Sequence, residues 1–466
     1  MKTTQEVKIG NSNCEYGYRI DAIETIPNIN ENIRINKSPQ DIIQVFNTKE
    51  IDTDWSFIEY KPSDTGKWTH NYHRYPAKFI PQLVEKLIDE YIICSEAHIN
   101  DPFFGCGTTI ITGISRGFKV SGTDINKIAY LITKVKSTPI EPEYLEKKIN
   151  NLLSELKILI SPQITFFVDN FEPLIPQKHL DRIDYWFSEE NKIELGIILR
   201  VIYNEEDENI RNFFLVAFSH ILKSCSIWLQ GSTKPTRDFN KKTSRPFDTF
   251  RRHLIKMQHG NNDFYHIVHK NIMENINQYL NIKIGDAKKQ PLDDETADLI
   301  ITSSPYVTSY EYADIHQLST IWLDLADDLK EYKKEFIGSS YKKNDNRVLK
   351  SLIAKDIVEK MEQKSKKMAK EIEAFFIDMQ DVFDEGFRIL KKGGRCCYVI
   401  GDTKLKGIDI LNAEVFAESL QYSGFKFDRL IKREIPSKIL PQKRDAKTGR
   451  WISGWLLRSS DHRMAV

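Results

Sequence analysis

The segment 98–124 constrains the fold of this chain more than any other part of it. It contains a short apolar stretch ending at Asp101, a turn with two glycines, a helical pattern that stops at Gly117, and a second strand pattern ending at Asp124. Strand, glycine turn, helix and strand in this order are typical of the opening βαβ unit of a parallel sheet. We therefore predict an α/β fold with a doubly wound, mostly parallel sheet.

A long helical stretch interrupts the sheet pattern. Apolar residues recur at helical spacing from about 135 to 280, and strand patterns resume at 281–287 and 297–306. We interpret 66–134 and 281–466 as one sheet domain, and 135–280 as a helical insertion within it.

The two ends of the chain give weaker patterns. Residues 1–65 form a polar extension with weak strand signals, and 347–392 are predicted to form a charged helix. Strand patterns at 396–402 and 425–434, with a helical pattern at 412–424 between them, complete the predicted sheet domain.

Composition excludes several classes of protein. Lys and Arg number 67 against 66 Asp and Glu, so the net charge points to no polyanionic partner, and only a local basic patch would. The start of the chain lacks a signal-peptide core, and no apolar run approaches the roughly 18 residues of a membrane span, so we expect a cytoplasmic protein. Cys396 and Cys397 are assigned to packing within a strand, and the spacing of Cys and His predicts no structural metal.

The turn with Gly105 and Gly107 lies at the carboxyl end of a predicted strand, where doubly wound sheets bind ligands. Its spacing matches neither the G-x-G-x-x-G dinucleotide motif nor a P-loop, which would need a lysine. Asp124 follows Asp101 at about the spacing (~20 residues) where a carboxylate binds ribose hydroxyls. This favours a nucleoside ligand without a polyphosphate, such as S-adenosylmethionine; a tight turn that binds nothing is the alternative.

The same turn resembles the D-P-F-x-G-x-G-T-T motif of the DNA amino-methyltransferases, which methylate an exocyclic nitrogen of cytosine or adenine. The matching residues are Asp101, Pro102, Phe103, Gly105, Gly107, Thr108 and Thr109. The resemblance implies a Rossmann-like methyltransferase fold in which these residues and Asp124 bind S-adenosylmethionine.

A second motif ends the strand pattern at 297–306. The family's catalytic tetrapeptide is [DNS]-P-P-[YFW], and this chain has Ser303, Ser304, Pro305 and Tyr306, with Ser in place of the first proline. The resemblance implies that Ser303 Oγ and the main-chain carbonyl of Ser304 accept hydrogen bonds from the target amine, and that Tyr306 stacks on an extruded base. Because any residue supplies a carbonyl, the replacement at 304 costs rigidity rather than the functional group.

Two further segments resemble family segments that hold the cofactor. In "GDAKKQPLDDETADLIITSSPY", Asp286 takes the position of an adenine-contacting acid, with Ala287 beside it. In "HNYHRYPAKF", the resemblance assigns Tyr75, Pro76 and Lys78 to the methionine end of the cofactor.

The motifs together imply a site-specific DNA methyltransferase that acts on cytosine N4 in duplex DNA, by base flipping and direct in-line transfer. Ser at the start of the tetrapeptide favours cytosine over adenine. The chain has no Pro-Cys dipeptide, which excludes methylation of cytosine at carbon through a Cys nucleophile. Such enzymes commonly protect a host genome, so a companion restriction endonuclease is an expected partner. Adenine-N6 methylation, an RNA amino-methyltransferase and a cofactor-holding DNA-binding subunit without turnover remain open alternatives.

A basic stretch lies within the insertion, at 232–257. We interpret it as a phosphate-binding part of a target-recognition region, with a solvated loop as the alternative. Replacing Arg251 and Arg252 by Ala is expected to flatten the salt dependence of DNA binding. The predicted DNA-binding residues are Lys234, Arg237, Lys241, Lys242, Arg245, Arg251 and Arg252. A second basic tract, 432–450, is equally compatible with DNA contact and with a surface loop.

Overall fold

The computed structural model describes residues 37–75, 78–92, 94–160, 171–232, 234–307, 312–338, 347–401 and 403–434. Within these residues, five parallel strands form a central sheet in the order β3-β2-β1-β4-β5. The strands are β1 (His98–Asp101), β2 (Lys119–Asp124), β3 (Leu280–Ile284), β4 (Ala297–Thr302) and β5 (Leu390–Tyr398). A short antiparallel hairpin follows, made of β6 (Thr403–Leu405) and β7 (Ile408–Ile410). The predicted α/β fold with a parallel sheet is confirmed.

Helices occupy most of the remaining described chain. In chain order they are α1 (Pro39–Thr48), α2 (Pro62–Thr65), α3 (Pro81–Tyr91), α4 (Thr108–Ser115), α5 (Lys127–Ser137), α6 (Pro142–Leu159), α7 (Leu180–Trp186), α8 (Glu189–Tyr203), α9 (Glu208–Cys225), α10 (Pro246–Ile267), α11 (Lys270–Glu274), α12 (Ile276–Tyr279), α13 (Tyr312–Ile315), α14 (Gln317–Trp322), α15 (Leu329–Lys334), α16 (Leu352–Glu362), α17 (Lys366–Ile389) and α18 (Asn412–Tyr422).

Apolar helix faces cover both sides of the sheet. On one side, Leu83 of α3 is fully buried in a cluster with Ile99 of β1. On the other side, Phe383 of α17 packs edge-on against Tyr398 of β5 and Phe416 of α18. Burying a side chain of this size stabilises the fold by ~1.5–3 kcal/mol. With both faces closed, the strand ends are left as the places where a ligand can reach the sheet.

The helices between β2 and β3 share an apolar core of their own. Leu195 of α8, Phe214 of α9 and Leu254 of α10 are completely buried in it. Tyr72 and Trp322 of α14 belong to the same core, although they lie outside the predicted insertion at 135–280. The insertion is therefore a packed helical unit that shares its core with neighbouring segments of the sheet domain.

The weak strand signals predicted for residues 1–65 are wrong for the described part of that extension, which contains helix α1. Ser38 and Asp41 form a capping box at its start: Asp41 N donates to Ser38 Oγ at 3.2 Å, and Ser38 N to the Asp41 carboxylate at 3.3 Å. Ile42 and Phe46 then bury one face of the helix against the sheet domain. A helix of 10 residues, fewer than three full turns, gives too short a periodic pattern for the sequence alone to predict it.

Two predicted strands near the end of the chain also need correction. Strand β5 starts at Leu390 rather than at Cys396, and its pairing with β4 shifts register between Ala297 and Leu299. No strand is found at 425–434, where Leu430 is buried in the core on one face of the sheet and Ile431 in the core on the other. Among the described residues, this segment pairs only through an isolated parallel bridge between Lys432 and Ile51.

Among the described residues, none of the helices combines the length and the apolarity needed to cross a membrane.

Candidate active site

The carboxyl ends of the parallel strands lie together at one edge of the sheet. Because β1 lies between β2 and β4, the loops that follow Asp101, Asp124 and Thr302 meet there. The loop after β3 lies beside the loop after β2. Connections leave β1 and β4 toward opposite sides of the sheet, which makes this the switch point where doubly wound sheets bind ligands.

A cleft opens at this edge and encloses about 810 Å³ of empty space, including open solvent at its mouth. Its lining combines residues predicted from separate segments of the sequence. The predicted cofactor-binding residues that line it are Tyr75, Lys78, Pro102, Phe103, Gly105, Thr108, Asp124, Asp286 and Ala287. From the tetrapeptide, Ser303 and Pro305 line the same cleft. The two motifs, far apart in the chain, therefore face one cavity.

The glycine turn is fixed by contacts from behind. Gly107 has a φ of 80°, and a Cβ placed on it would lie 2.7 Å from Thr133 Cγ2 of α5. Thr133 Oγ1 also donates a hydrogen bond to Gly105 O at 2.9 Å. Gly105 has a φ of 49°, and its Cβ position lies 3.3 Å from the Tyr75 ring. Both glycines are thus required by backbone conformation and by space.

The two acids of the first motif have different positions. Asp101 is buried behind the turn, where its Oδ1 accepts a hydrogen bond from Phe103 N at 3.0 Å, and burial raises its pKa to about 7. Asp124 lines the cleft, and its carboxylate accepts from Gly105 N at 2.9 Å and Asn126 N at 2.8 Å. Burial raises the pKa of Asp124 to about 6. Asp101 therefore supports the turn, whereas Asp124 is the acid available to a ligand.

Asp286 and Ala287 line the cleft from the loop after β3. Asp286 Oδ1 accepts from Lys288 N at 3.0 Å, and Lys288 Nζ lies 3.4 Å from its Oδ2. The same Lys288 pairs with the buried Asp378 at 3.3 Å. A network of charges, rather than the loop alone, sets the position of Asp286.

The tetrapeptide divides between the cleft and the protein interior. Ser303 and Pro305 line the cleft, while Ser304 is buried and its Oγ has no hydrogen-bond partner among the described residues. Tyr306 is half-buried outside that lining, and a Cβ on Gly401 would lie 3.5 Å from its ring. Arg433 is buried near Tyr306, and burial lowers the pKa of Arg433 to about 10.

The upstream segment is tied to the glycine turn through a buried lysine. Lys136 Nζ donates to His70 O at 3.2 Å and to Cys106 O at 3.1 Å, and burial lowers the pKa of Lys136 to about 8. Lys78 Nζ donates to the same His70 carbonyl at 3.1 Å. Pro76, also predicted to bind the cofactor, lies outside the described residues. Of the remaining motif residues, Gly107 and Thr109 stand behind the lining, and Thr109 Oγ1 donates to Ile301 O at 3.2 Å.

Sequence reasoning did not identify one segment that lines the cleft. Glu335, Phe336 and Ile337, which follow α15, line the same cavity as the glycine turn. Tyr332 of α15 holds this segment in place, since its hydroxyl accepts from Lys127 N at 3.0 Å and contacts Asn126 Oδ1 at 3.2 Å. The segment reads as an ordinary charged helix in the sequence, so no signal there pointed to the site.

The predicted DNA-binding residues lie on the loop and helix of the insertion. Lys241 Nζ donates to Lys223 O and Trp228 O, each at 2.7 Å, and Arg245 pairs with Glu194 at 3.4 Å. Arg237 lies between the rings of Tyr185 and Phe239, 4.1 and 4.4 Å from their centroids. The exposed members of the set are Lys234, Lys242, Arg245, Arg251 and Arg252. The second basic tract lies outside the described residues from position 435 onward.

Curated proteins resemble the chain over most of its length. The Type II methyltransferase M.MvaI of Kocuria varians is 28% identical over 435 residues, which cover 88% of this chain and 93% of that protein. M.MjaII of Methanocaldococcus jannaschii is 23% identical over 377 residues, covering 63% of this chain and 69% of that protein. M.BsoBI of Geobacillus stearothermophilus is 22% identical over 413 residues, covering 78% and 81%. No protein-family model matches the chain.

The chain is a relative of the Type II methyltransferases. This confirms the predicted relation to DNA methyltransferases. S-adenosylmethionine is the methyl donor of Type II methyltransferases, and it is the cofactor of this chain. The choice between cytosine N4 and adenine N6 stays a prediction.

The residues of the cleft fit this cofactor. Among the lining residues, Lys78 is the one side chain with a fixed positive charge, against the acids Asp124, Asp286 and Glu335. Such a lining suits a nucleoside with a cationic sulfonium and gives no cradle for a polyphosphate. Phe103 and Phe336 would give aromatic surface to a base, and the Asp124 carboxylate would be the acceptor for ribose hydroxyls.

Proposed function

We propose that this protein transfers a methyl group from S-adenosylmethionine to the exocyclic N4 amine of cytosine in duplex DNA. The observation that carries the proposal is that Ser303 and Pro305 line the same cleft as Asp124 and Asp286. A cofactor held by the two acids and an amine held by the tetrapeptide would then meet in one cavity. Cytoplasmic location and a companion restriction endonuclease belong to the same proposal.

In this proposal, Ser303 and Ser304 make the target amine more nucleophilic. Its lone pair is delocalised into the base, so it is a weak nucleophile until its N–H groups are held by acceptors. We assign Ser303 Oγ and the main-chain oxygen of Ser304 as these acceptors. S-adenosylmethionine supplies an electrophilic methyl group on sulfur. The electron pair of the amine forms the N–C bond as the C–S bond breaks, and the electrons of the C–S bond stay on sulfur. The amine then releases a proton to solvent.

The target base has to leave the duplex before it can enter the cleft. We assign Tyr306 as the surface on which the extruded base stacks, an interaction worth ~1–3 kcal/mol. Its place directly after Pro305, which lines the cleft, supports this role. Ser at position 303 favours cytosine, and adenine N6 is the alternative target.

Transfer of tritium from labelled cofactor to mixed-sequence duplex DNA tests the proposal. Wild-type protein is expected to label the DNA, and Tyr306→Ala to lose at least about tenfold in rate while it binds S-adenosylmethionine normally. Mass spectrometry of the digested nucleosides should then show N4-methylcytosine. Transfer to adenine would support methyltransferase activity and overturn the proposal that cytosine is the target base.

A DNA-binding subunit without turnover is the second candidate, and Ser304 in place of the family proline is the observation that favours it. In that case the wild-type protein would bind cofactor and DNA and transfer no label to any of several genomic DNAs. Label transferred to RNA alone would instead favour an RNA amino-methyltransferase.

A further inference from the structure

Three histidine rings join the upstream segment of the cofactor cleft to two helices of the insertion. The His73 ring lies perpendicular to that of His220 on α9, with centroids 5.6 Å apart. His220 stacks on His253 of α10 at 3.6 Å, with the ring planes 8° apart. Burial lowers the pKa of all three below its ordinary value, so the rings are neutral and serve as packing surface.

Each of these histidines has a cation close by in the chain. Arg74 follows His73, Lys223 follows His220 by one helical turn on α9, and Lys256 follows His253 by one turn on α10. Lys241 joins them, because its Nζ donates to Lys223 O at 2.7 Å. We call Arg74, Lys223, Lys241 and Lys256 the basic junction.

The basic junction forms no ion pair among the described residues, although the charge of Asp238 acts on Lys241. Arg245 of the predicted basic stretch, by contrast, is paired with Glu194. Arg74 and Lys256 are exposed. Burial is the main cause that lowers the pKa of Lys223 to about 8, and the nearby charges of Lys241 and Arg74 lower it further. Concentrated positive charge of this kind is suited to a polyanion.

One member of the basic junction, Arg74, adjoins the cleft. Arg74 directly precedes Tyr75, whose ring lines the cavity and packs against His316 with centroids 4.9 Å apart. A nucleotide extruded into the cleft stays linked to its neighbours through its own phosphates. Those phosphates stay beside the cleft, and Arg74, whose charge acts on Lys223 and Lys241, is the member of the basic junction next to it.

We propose that the basic junction binds the DNA phosphates that flank the extruded nucleotide. The inference rests on the proposed function and extends it to residues outside the predicted basic stretch, above all Arg74 and Lys223. Lys223 and Lys241 also hold the loop at 226–241, since Lys223 Nζ donates to Ser232 O at 2.7 Å. Arg74 and Lys256 have no such internal bonds among the described residues, so they are the residues to change.

The test is the salt dependence of DNA binding by the Arg74→Ala, Lys256→Ala double variant. Fluorescence anisotropy with a labelled mixed-sequence duplex, over a series of potassium chloride concentrations, gives the slope of log K against log salt. Each lost phosphate contact is expected to reduce that slope by about 0.9, so the double variant should lose about 1.8 and Lys256→Ala alone about half of that.

A matched control removes the same charge from the opposite edge of the sheet. Lys119 opens β2 and Lys392 lies near the start of β5, both exposed, so Lys119→Ala, Lys392→Ala should keep the wild-type slope. Calorimetric titration with S-adenosylmethionine checks that all variants are folded at the cleft.

The outcomes separate this inference from the proposed function. A double variant that keeps the wild-type slope, while the wild type methylates DNA, overturns the basic junction alone. Equal loss of slope in the control and the double variant would also overturn it, because the loss would then come from the change in net charge and not from the position of the removed residues. A wild type that neither binds nor methylates DNA overturns both.

Discussion

The loop after β1 and the loop after β4 lie side by side and differ in how their polar groups are bonded. In the loop after β1, the carboxylates of Asp101 and Asp124 accept main-chain N–H groups, and Gly105 O accepts from Thr133. In the loop after β4, Ser304 Oγ is buried with no hydrogen-bond partner among the described residues, and Ser303 faces the cleft. The first loop is complete without a ligand. The second carries polar groups that the protein itself does not satisfy.

This difference assigns separate tasks to the two loops. A turn held by its own bonds pays no ordering cost when a cofactor arrives, which suits a site that must bind before reaction. A serine that faces the cleft beside it, Ser303, suits a site that stabilises a substrate amine during reaction. Substitutions in the loop after β1 should therefore alter cofactor affinity. Substitutions in the loop after β4 should leave cofactor affinity unchanged and act, where they have an effect, on the rate of methyl transfer.

The largest effect on this comparison is expected from Gly107→Ala. The new Cβ would meet Thr133 Cγ2 at 2.7 Å, on a backbone with a φ of 80° that Ala rarely adopts. We expect S-adenosylmethionine affinity to fall at least about tenfold, since strain of this kind costs ~1–3 kcal/mol and moves the turn. Isothermal titration calorimetry measures it.

Gly231→Ala is the matched control for Gly107→Ala. Nothing lies within 4 Å of a Cβ at Gly231, so this variant should bind the cofactor as the wild type does. Unchanged affinity in Gly107→Ala would show that the turn is not pre-formed for the cofactor.

A smaller effect is expected from the ionisation of Asp124. Its pKa of about 6 means that the carboxylate, the form that best accepts ribose hydroxyls, is lost as pH falls through 6. Cofactor affinity measured by calorimetry between pH 8 and pH 5 should fall several-fold, and Asp124→Asn should bind more weakly at pH 8 with a flatter profile. An identical profile in Asp124→Asn would assign the titration elsewhere.

The contribution of Asp124 to the free energy of unfolding changes with pH in the opposite direction to cofactor affinity, so the two effects can be distinguished. A carboxyl whose pKa is raised by folding binds more protons in the folded state than in the unfolded chain. Its contribution to stability therefore increases as pH falls from above 7 toward 4, for Asp124 and for Asp101 with its pKa of about 7. Asp101→Asn, which removes the buried charge behind the turn, serves as the control for the affinity profile.

Local chemistry explains what the sequence predicted well. A turn or a strand end depends on the backbone within a few residues, so a short stretch of sequence is enough to predict it. This holds for the strand ends, for the glycines at 105 and 107, and for the acid at the end of β2. The order of strands then brings Asp124 and Ser303 to one edge, as the parallel sheet requires. The cleft was therefore predictable in outline.

Contacts between distant segments explain what the sequence could not predict. Phe336 lines the cleft because Tyr332 is bonded to Asn126, far earlier in the chain, and nothing near residue 332 encodes that bond. The basic junction forms because His73, His220 and His253 from three segments pack together, which no single stretch reveals. The absence of a strand at 425–434 is also set at a distance, since the apolar pattern there finds only an isolated bridge to Ile51 among the described residues.

The smallest effect is expected from Ser304→Ala. The hydroxyl lost in this variant is buried and has no partner among the described residues, while the main-chain carbonyl assigned to the amine is kept. Removing a buried, unsatisfied hydroxyl is neutral or stabilising by up to ~1 kcal/mol, so the melting temperature should stay or rise slightly. Methyl transfer should change less than about threefold, in contrast to Tyr306→Ala. A loss in Ser304→Ala as large as in Tyr306→Ala, with cofactor affinity intact, would mean that the hydroxyl and not the carbonyl is the second acceptor.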